Sequence, residues 1–191
     1  MLKAIVRSFA DNTRIRVKIQ SIEDRQKLLT DLQTIYDWAR TNNMEFNPDK
    51  FEYISHGVTG EEYADNYKGP CDKNIQRNKT IKDLGITVNE TLECSDHINK
   101  TVATCRAMAG QIMRTFRTRD KKPLLMLYKT YIRSRAEYCN LVWFPHKQQD
   151  IAAVEGIQRS YTAKIEDVKH LDYWQRLQEL KMYSLERRRE R

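Results

Sequence analysis

The chain has 191 residues, 40% of them apolar and 31% charged, with 3 Trp, 10 Tyr and 5 Phe. That is enough to bury a core without disulfide staples, and too apolar for a disordered polymer. Six Gly and four Pro argue against a loop-dominated β protein; no apolar run approaches the roughly 20 residues of a membrane span, and no signal-peptide core follows Met1. The sequence therefore reads as a soluble intracellular protein, in nucleus or cytoplasm, with no membrane partner. The net charge is +8, but it is unevenly spread. Residues 100–136 hold ten basic residues against one acid, Asp120, and carry +9 alone. A cationic segment of that density attracts polyanions, of which nucleic acid is the commonest large one. A solvated helical face is the alternative.

The first twenty residues read as a β-hairpin. Ile15, Val17 and Ile19 alternate with Arg14, Arg16 and Lys18, which is period two. Ile5, Val6 and Phe9 precede them, and Ala10-Asp11-Asn12-Thr13 supplies the turn. Ser21 is placed to cap a helix, with Asp24 as its capping-box acid. Leu28, Leu32, Ile35 and Ala39 follow at helical spacing, and the helix should stop near Asn42-Asn43. Asn47-Pro48-Asp49 signals a turn, residues 51–55 a strand, residues 57–70 a loop or irregular hairpin, and residues 75–88 short strands.

After about residue 93 the pattern becomes helical. Behind a Ser95 cap, Ile98, Val102, Cys105, Ala109, Ile112 and Phe116 form one apolar seam. Lys122-Pro123 opens a second helix, with the stripe Leu125, Tyr128, Ile132, Ala136, Cys139 and Trp143, closed by Pro145. A third runs from about Asp150 through Ile151, Val154, Gln158, Tyr161 and Ile165. A fourth starts near Asp172 with Trp174, Leu177, Leu180 and Leu185, and ends in the charged run 186–191. The expected fold class is α+β, mixed over residues 1–93 and all-helical over 94–191. Trp143, Tyr173 and Trp174 are expected as packing anchors rather than base-stacking platforms. Four scattered Cys and a lone Cys94/His97 pair do not make a zinc site, so reduced thiols are expected.

A hairpin tip bearing an acid, entered from an apolar strand, suits metal-dependent phosphoryl transfer, because two divalent ions need carboxylates on rigid backbone. Taken alone, Asp11 is a turn residue. Ser8-Phe9-Ala10-Asp11-Asn12-Thr13, however, resembles the F/Y-x-D-D motif of reverse transcriptases in its non-LTR, LINE-type form. The resemblance continues in order. The stretch from Asn43 to Glu52, with Asn47 and Lys50, resembles the next palm motif. Lys82-Asp83-Leu84-Gly85-Ile86 resembles the primer grip. Leu127-Tyr128-Lys129, Arg135-Ala136-Glu137-Tyr138-Cys139, Val142-Trp143, the run Val154 to Arg159, the run Tyr173 to Leu177 and the run Tyr183 to Arg189 resemble the helical region of jockey-like elements. Each motif is short; the ordered set spans nearly the whole chain.

The resemblance implies a partial polymerase palm (β-hairpin, helix, short strands) over residues 1–93. A helical thumb with a C-terminal extension would follow over 94–191. It implies RNA-directed DNA synthesis with Mg2+ in the intact parent, and an RNA template–DNA primer duplex as partner. Asp11 would be a metal ligand and, with Asn12 and Lys50, part of the catalytic set. Lys50 would assist proton transfer to pyrophosphate. Leu84 and Gly85 would hold the primer end. Lys100, Arg106, Arg114, Arg117, Arg119, Lys121, Lys122, Lys129 and Arg133 would line the duplex. Two departures weigh against polymerisation by this chain alone. Asn12 stands where the family usually has a second aspartate, and the family's fingers and other metal-binding aspartate would lie before the hairpin. Asp24, Asp31, Asp37 and Asp49 are expected to face solvent rather than replace that ligand. The alternative is a non-catalytic nucleic-acid-binding or protein-interaction remnant.

Overall fold

The computed structural model describes residues 4–10, 12–57 and 67–190, with Cys71 by its backbone only. Asp11 and most of the expected 57–70 loop therefore lie outside the described residues. The described residues form a mixed α+β structure that divides into two compact units. One comprises Met1–Ile81 with Asn89–Leu92, the other Lys82–Val88 with Glu93–Arg191.

The first unit opens with strands β1 (Ile5–Phe9) and β2 (Asn12–Arg16), paired antiparallel with Phe9 opposite Asn12 and Ile5 opposite Arg16. Helix α1 (Ile22–Thr41) follows. Ser21 caps it as expected, its side chain accepting the Asp24 N–H at 3.3 Å. The reciprocal bond is displaced by one residue, because Asp24 Oδ2 accepts from Gln20 N at 3.1 Å. Asp31 departs from expectation. It is buried, and Oδ2 accepts the Ala4 N–H at 2.8 Å, so it anchors the start of the ribbon to the helix. Asn42 and Asn43 end α1, Asn43 in the left-handed region at φ +54°.

Asn47 caps a 3-10 turn over Pro48–Lys50. The expected five-residue strand shrinks to β3 (Glu52–Tyr53), which pairs in parallel with β4 (Gln76–Arg77). The core of this unit is thin. Leu32, Ala39 and Tyr67 are buried, and Tyr36, Phe46 and Phe51 meet edge to face with centroids 5.7–6.1 Å apart. Ile5, Phe9, Ile22, Trp38 and Met44 stay exposed.

Strands β5 (Thr80–Asp83) and β6 (Ile86–Asn89) form a hairpin across which the unit boundary falls. Leu84 and Gly85 are its two-residue tip, at φ +44° and +89°. Positive φ at both positions is the type I′ turn, whose twist matches the flanking strands. The hairpin end belongs with the helices for three reasons. Ile86 joins their core, Thr87 N–H donates to His97 Nδ1 at 3.2 Å, and Tyr138 Oη donates to the Leu84 carbonyl at 3.0 Å.

Helix α2 (Ser95–Thr115) buries Ile98, Val102, Cys105, Ala109 and Ile112, the expected seam. Phe116 lies just past its end and is exposed. Ser95 is not the cap: its hydroxyl donates instead to Asp150 Oδ2 at 2.7 Å. The second expected helix is broken into α3 (Lys121–Leu127), a π-helical segment over Tyr128–Arg133 and a short α4 (Ser134–Ala136). Tyr128, Ile132 and Ala136 of the expected stripe are buried. Leu124 and Leu127 are buried rather than Leu125, and Cys139 is exposed at φ +50°. Trp143 is fully buried and donates Nε1–H to the Tyr138 carbonyl at 2.7 Å.

Helix α5 (Gln148–Thr162) packs on α2. The fourth expected helix is two: α6 (Tyr173–Glu179), closed by an Asp172–Gln175 capping box, and α7 (Leu185–Arg189), capped by Ser184. Lys181 at φ +50° separates them. Tyr173 is buried, and Trp174, 58% exposed, lies against its ring with centroids 5.1 Å apart. No helix among the described residues is long and apolar enough to cross a membrane.

Candidate nucleic-acid interface

The basic segment divides by what each cation meets. On α2 the buried seam fixes the opposite side as the outer one. Lys100 and Arg114 both fall there, about 21 Å apart along the axis and roughly 40° apart around it. Both are exposed, and Arg114 folds back over Gly110, where an added Cβ would meet Nη1 at 3.3 Å. Arg106 sits on the flank and reaches α5, where a Cβ on Gly156 would lie 3.6 Å from Nη2. Arg117 is exposed within the α2–α3 connection, Lys122 in the first turn of α3, and Lys129 on the π-helical segment. None of these six cations forms an ion pair among the described residues.

The other three expected binders are held inside the unit. Arg119 donates to the carbonyls of Met113 at 2.9 Å, Phe116 at 2.5 Å and Thr118 at 2.9 Å. It thereby satisfies carbonyls that the end of α2 leaves without partners. Lys121 Nζ reaches both the backbone and the side-chain oxygen of Glu179 at 2.9 Å, closing the end of α6. Its ammonium holds the Glu179 carboxyl below the usual range. Arg133 lies 3.9 Å from Glu137, which also takes a bidentate hold on Arg188. Glu137 at i+4 from Arg133 was readable in the sequence. Glu179, 58 residues from Lys121, left no local signal.

The hairpin tip presents Leu84, 45% exposed, its carbonyl held by Tyr138 Oη. Gly85 is favoured by its φ of +89°, and a Cβ there would make an ordinary 3.4 Å contact with Tyr138 Cε1. In the first unit, Asn12 is exposed at the head of β2 and Lys50 is exposed at the end of its turn, with no hydrogen bond joining them. Asp49 pairs with Lys73.

A buried polar network that sequence reasoning missed locks α7 onto α5. Gln158, fully buried, accepts from Tyr128 Oη at 2.8 Å and donates to Tyr173 Oη at 3.1 Å and the Tyr183 carbonyl at 3.0 Å. Tyr173 donates in turn to Glu155, whose oxygens also accept the N–H groups of Leu185 at 3.3 Å and Glu186 at 3.1 Å. Burial, reinforced by the bond to Glu155, pushes the Tyr173 phenol above its ordinary range. Gln158 on the predicted apolar stripe was the visible hint, since a polar residue at a core position needs partners.

Cys94, Cys105 and Cys139 are free thiols. Burial raises the Cys105 thiol to about 11 and, with Asp150, raises that of Cys94. His97 is occupied by Thr87 N–H, and no group of three or more His, Cys, Asp or Glu suited to a metal gathers among the described residues. No protein-family profile, curated protein or solved structure matches the chain.

Proposed function

We propose that this chain corresponds to the late palm and the thumb of a non-LTR, jockey-like retrotransposon reverse transcriptase, an RNA-directed DNA polymerase. Its own activity is binding an RNA template–DNA primer duplex through the basic face of the helical unit. The ordered motifs support the family. The observation that carries the binding role is the set of exposed cations Lys100, Arg106, Arg114, Arg117, Lys122 and Lys129, none in an ion pair among the described residues. Free cations on a folded scaffold are what a phosphate backbone requires.

Mg2+ belongs to the intact parent in this reading. The motif here offers one carboxylate, Asp11, and one neutral amide, Asn12. That set balances less charge than a pair of divalent ions needs, so no reaction step is assigned to this chain. Primer extension by the purified protein with Mg2+ and nucleotides, abolished by Asp11→Ala, would overturn that assignment.

The binding role is tested by titrating a labelled RNA–DNA duplex at several salt concentrations. With four or five phosphates engaged, log K should fall against log salt with a slope near −4. Lys100→Gln/Arg114→Gln/Arg117→Gln/Lys122→Gln should weaken all sequences alike and flatten the slope toward zero. A salt-independent affinity refutes the reading. A protein-docking role is the second reading, favoured by exposed Leu141 (84%), Val142 (67%), Tyr131 and Tyr138. Stable oligomers without nucleic-acid affinity would support it instead.

A further inference from the structure

Between α4 and α5, residues 137–143 present apolar side chains on a backbone that is locked rather than loose. Two overlapping turns form it. Asn140 N–H donates to the Glu137 carbonyl at 3.3 Å, and Val142 N–H to the Cys139 carbonyl at 2.9 Å. Cys139 is held at φ +50°, a conformation that a non-glycine residue keeps only where its surroundings enforce it. Trp143, fully buried, enforces it from one side, donating Nε1–H to the Tyr138 carbonyl at 2.7 Å; the Tyr138 phenol, bonded to the Leu84 carbonyl at 3.0 Å, does so from the other. On this frame Leu141 is 84% exposed and Val142 67%. They form a fixed knob that packs against nothing within the fold, and anchors already held in place lose little freedom on binding.

The charge around the knob has one sign. Residues 129–149 hold Lys129, Arg133, Arg135 and Lys147 against one acid, Glu137, and both Glu137 oxygens are bonded by Arg188 of α7. Residues 185–190 set three arginines against two glutamates, and Lys82 and Asp83 beside the hairpin tip cancel. Arg133 faces Glu137 and Lys147 faces Glu93. Arg135, exposed just before the knob, forms no ion pair among the described residues.

We propose that this knob docks into an apolar, acid-rimmed pocket of a partner protein, with Leu141 and Val142 filling the pocket and Arg135 meeting a carboxylate at its edge. Complementary charge favours such a partner. A second copy of this chain is disfavoured by the same charge, because a two-fold contact would set Arg135 and its neighbours against their own copies. A lipid surface is disfavoured by size. Leu141 and Val142 together offer fewer carbons than one myristoyl chain, which alone holds a protein only marginally. The inference rests on the protein-docking reading of this turn, and Arg135, Leu141 and Val142 lie outside the set assigned to the duplex.

The test is fluorescence anisotropy with a labelled amphipathic helical peptide of Leu and Glu, whose leucine rows leave grooves flanked by carboxylates. Leu141→Ser/Val142→Ser should weaken its binding about tenfold or more. Arg135→Gln should weaken it about two- to fivefold, an effect that high salt erases. Lys100→Gln/Arg114→Gln/Arg117→Gln/Lys122→Gln should bind the peptide within about twofold of wild type while losing the duplex, and the knob variant should do the reverse, so the two readings fail separately. Every substituted side chain is exposed, so melting temperatures should stay within about 2 °C, which checks folding. The proposal is overturned if the knob variant binds the peptide like wild type, or if a peptide with Lys in place of Glu binds equally well. It is equally overturned if phosphatidylserine vesicles bind the knob more tightly than the peptide does, or if the wild-type chain forms a dimer that the knob variant dissolves.

Discussion

Glu155→Ala should release α7. Glu155 is 7% exposed and accepts three hydrogen bonds: the Tyr173 phenol and the main-chain N–H groups of Leu185 and Glu186. Bonds to a charged acceptor contribute about 1.5–3 kcal/mol each, and they do not add fully within one network. The carboxylate also opposes a second buried charge. Arg189 on α7 is 7% exposed, its guanidinium makes no hydrogen bond among the described residues, and it lies over the Phe144 ring at 5.5 Å. Burial lowers its pKa, and Glu155 is the largest influence acting against that. Removing the common acceptor of these three bonds should cost about 3–5 kcal/mol, a large share of the ~5–15 kcal/mol typical of a folded domain. In urea the midpoint should fall by roughly 1–2 M. Exchange of the Leu185 and Glu186 amides should lose its protection, while the α2 amides keep theirs under native conditions. Glu155→Gln retains one acceptor oxygen and should cost about half as much. A midpoint within about 0.3 M of wild type for Glu155→Ala, with those two amides still protected, refutes the network as the device holding α7.

Two further outcomes follow from the hairpin. His97 is buried, and Nδ1 must stay unprotonated to accept the Thr87 N–H; burial, then Lys100, holds its pKa below 6.5. Between that lowered value and 6.5 the unfolded chain takes up a proton that the folded one does not. The stabilisation is therefore complete above pH 6.5 and lost as pH falls through the window. His97→Gln should flatten that part of the melting-temperature profile, the other three histidines being exposed; an unchanged profile sinks the argument. Leu84→Asn should raise the melting temperature by about 2–4 °C, since Asn-Gly suits a type I′ turn and relieves roughly 1 kcal/mol at φ +44°. The Tyr138 bond is to main chain and survives the change, so a lower melting temperature would contradict the reasoning.

Elements written by local periodicity or by a cap were legible in the residues themselves. The ribbon, α1 behind Ser21, the α2 seam and the capped start of α6 all depend on neighbours within a few positions, where propensity and spacing act. The mixed α+β class and the concentration of cations follow in the same way, and so does the ordered set of motifs. What the chain could not reveal depended on partners distant in sequence. Lys121 looks identical to Lys122 until folding brings Glu179, 58 residues on, beside it. Ser95 is a natural cap until Asp150, 55 residues on, takes its hydroxyl. A π segment interrupts one expected helix, and Lys181 in the left-handed region divides another. A residue's type sets what it is able to bind; only the fold decides which of those bonds is already taken.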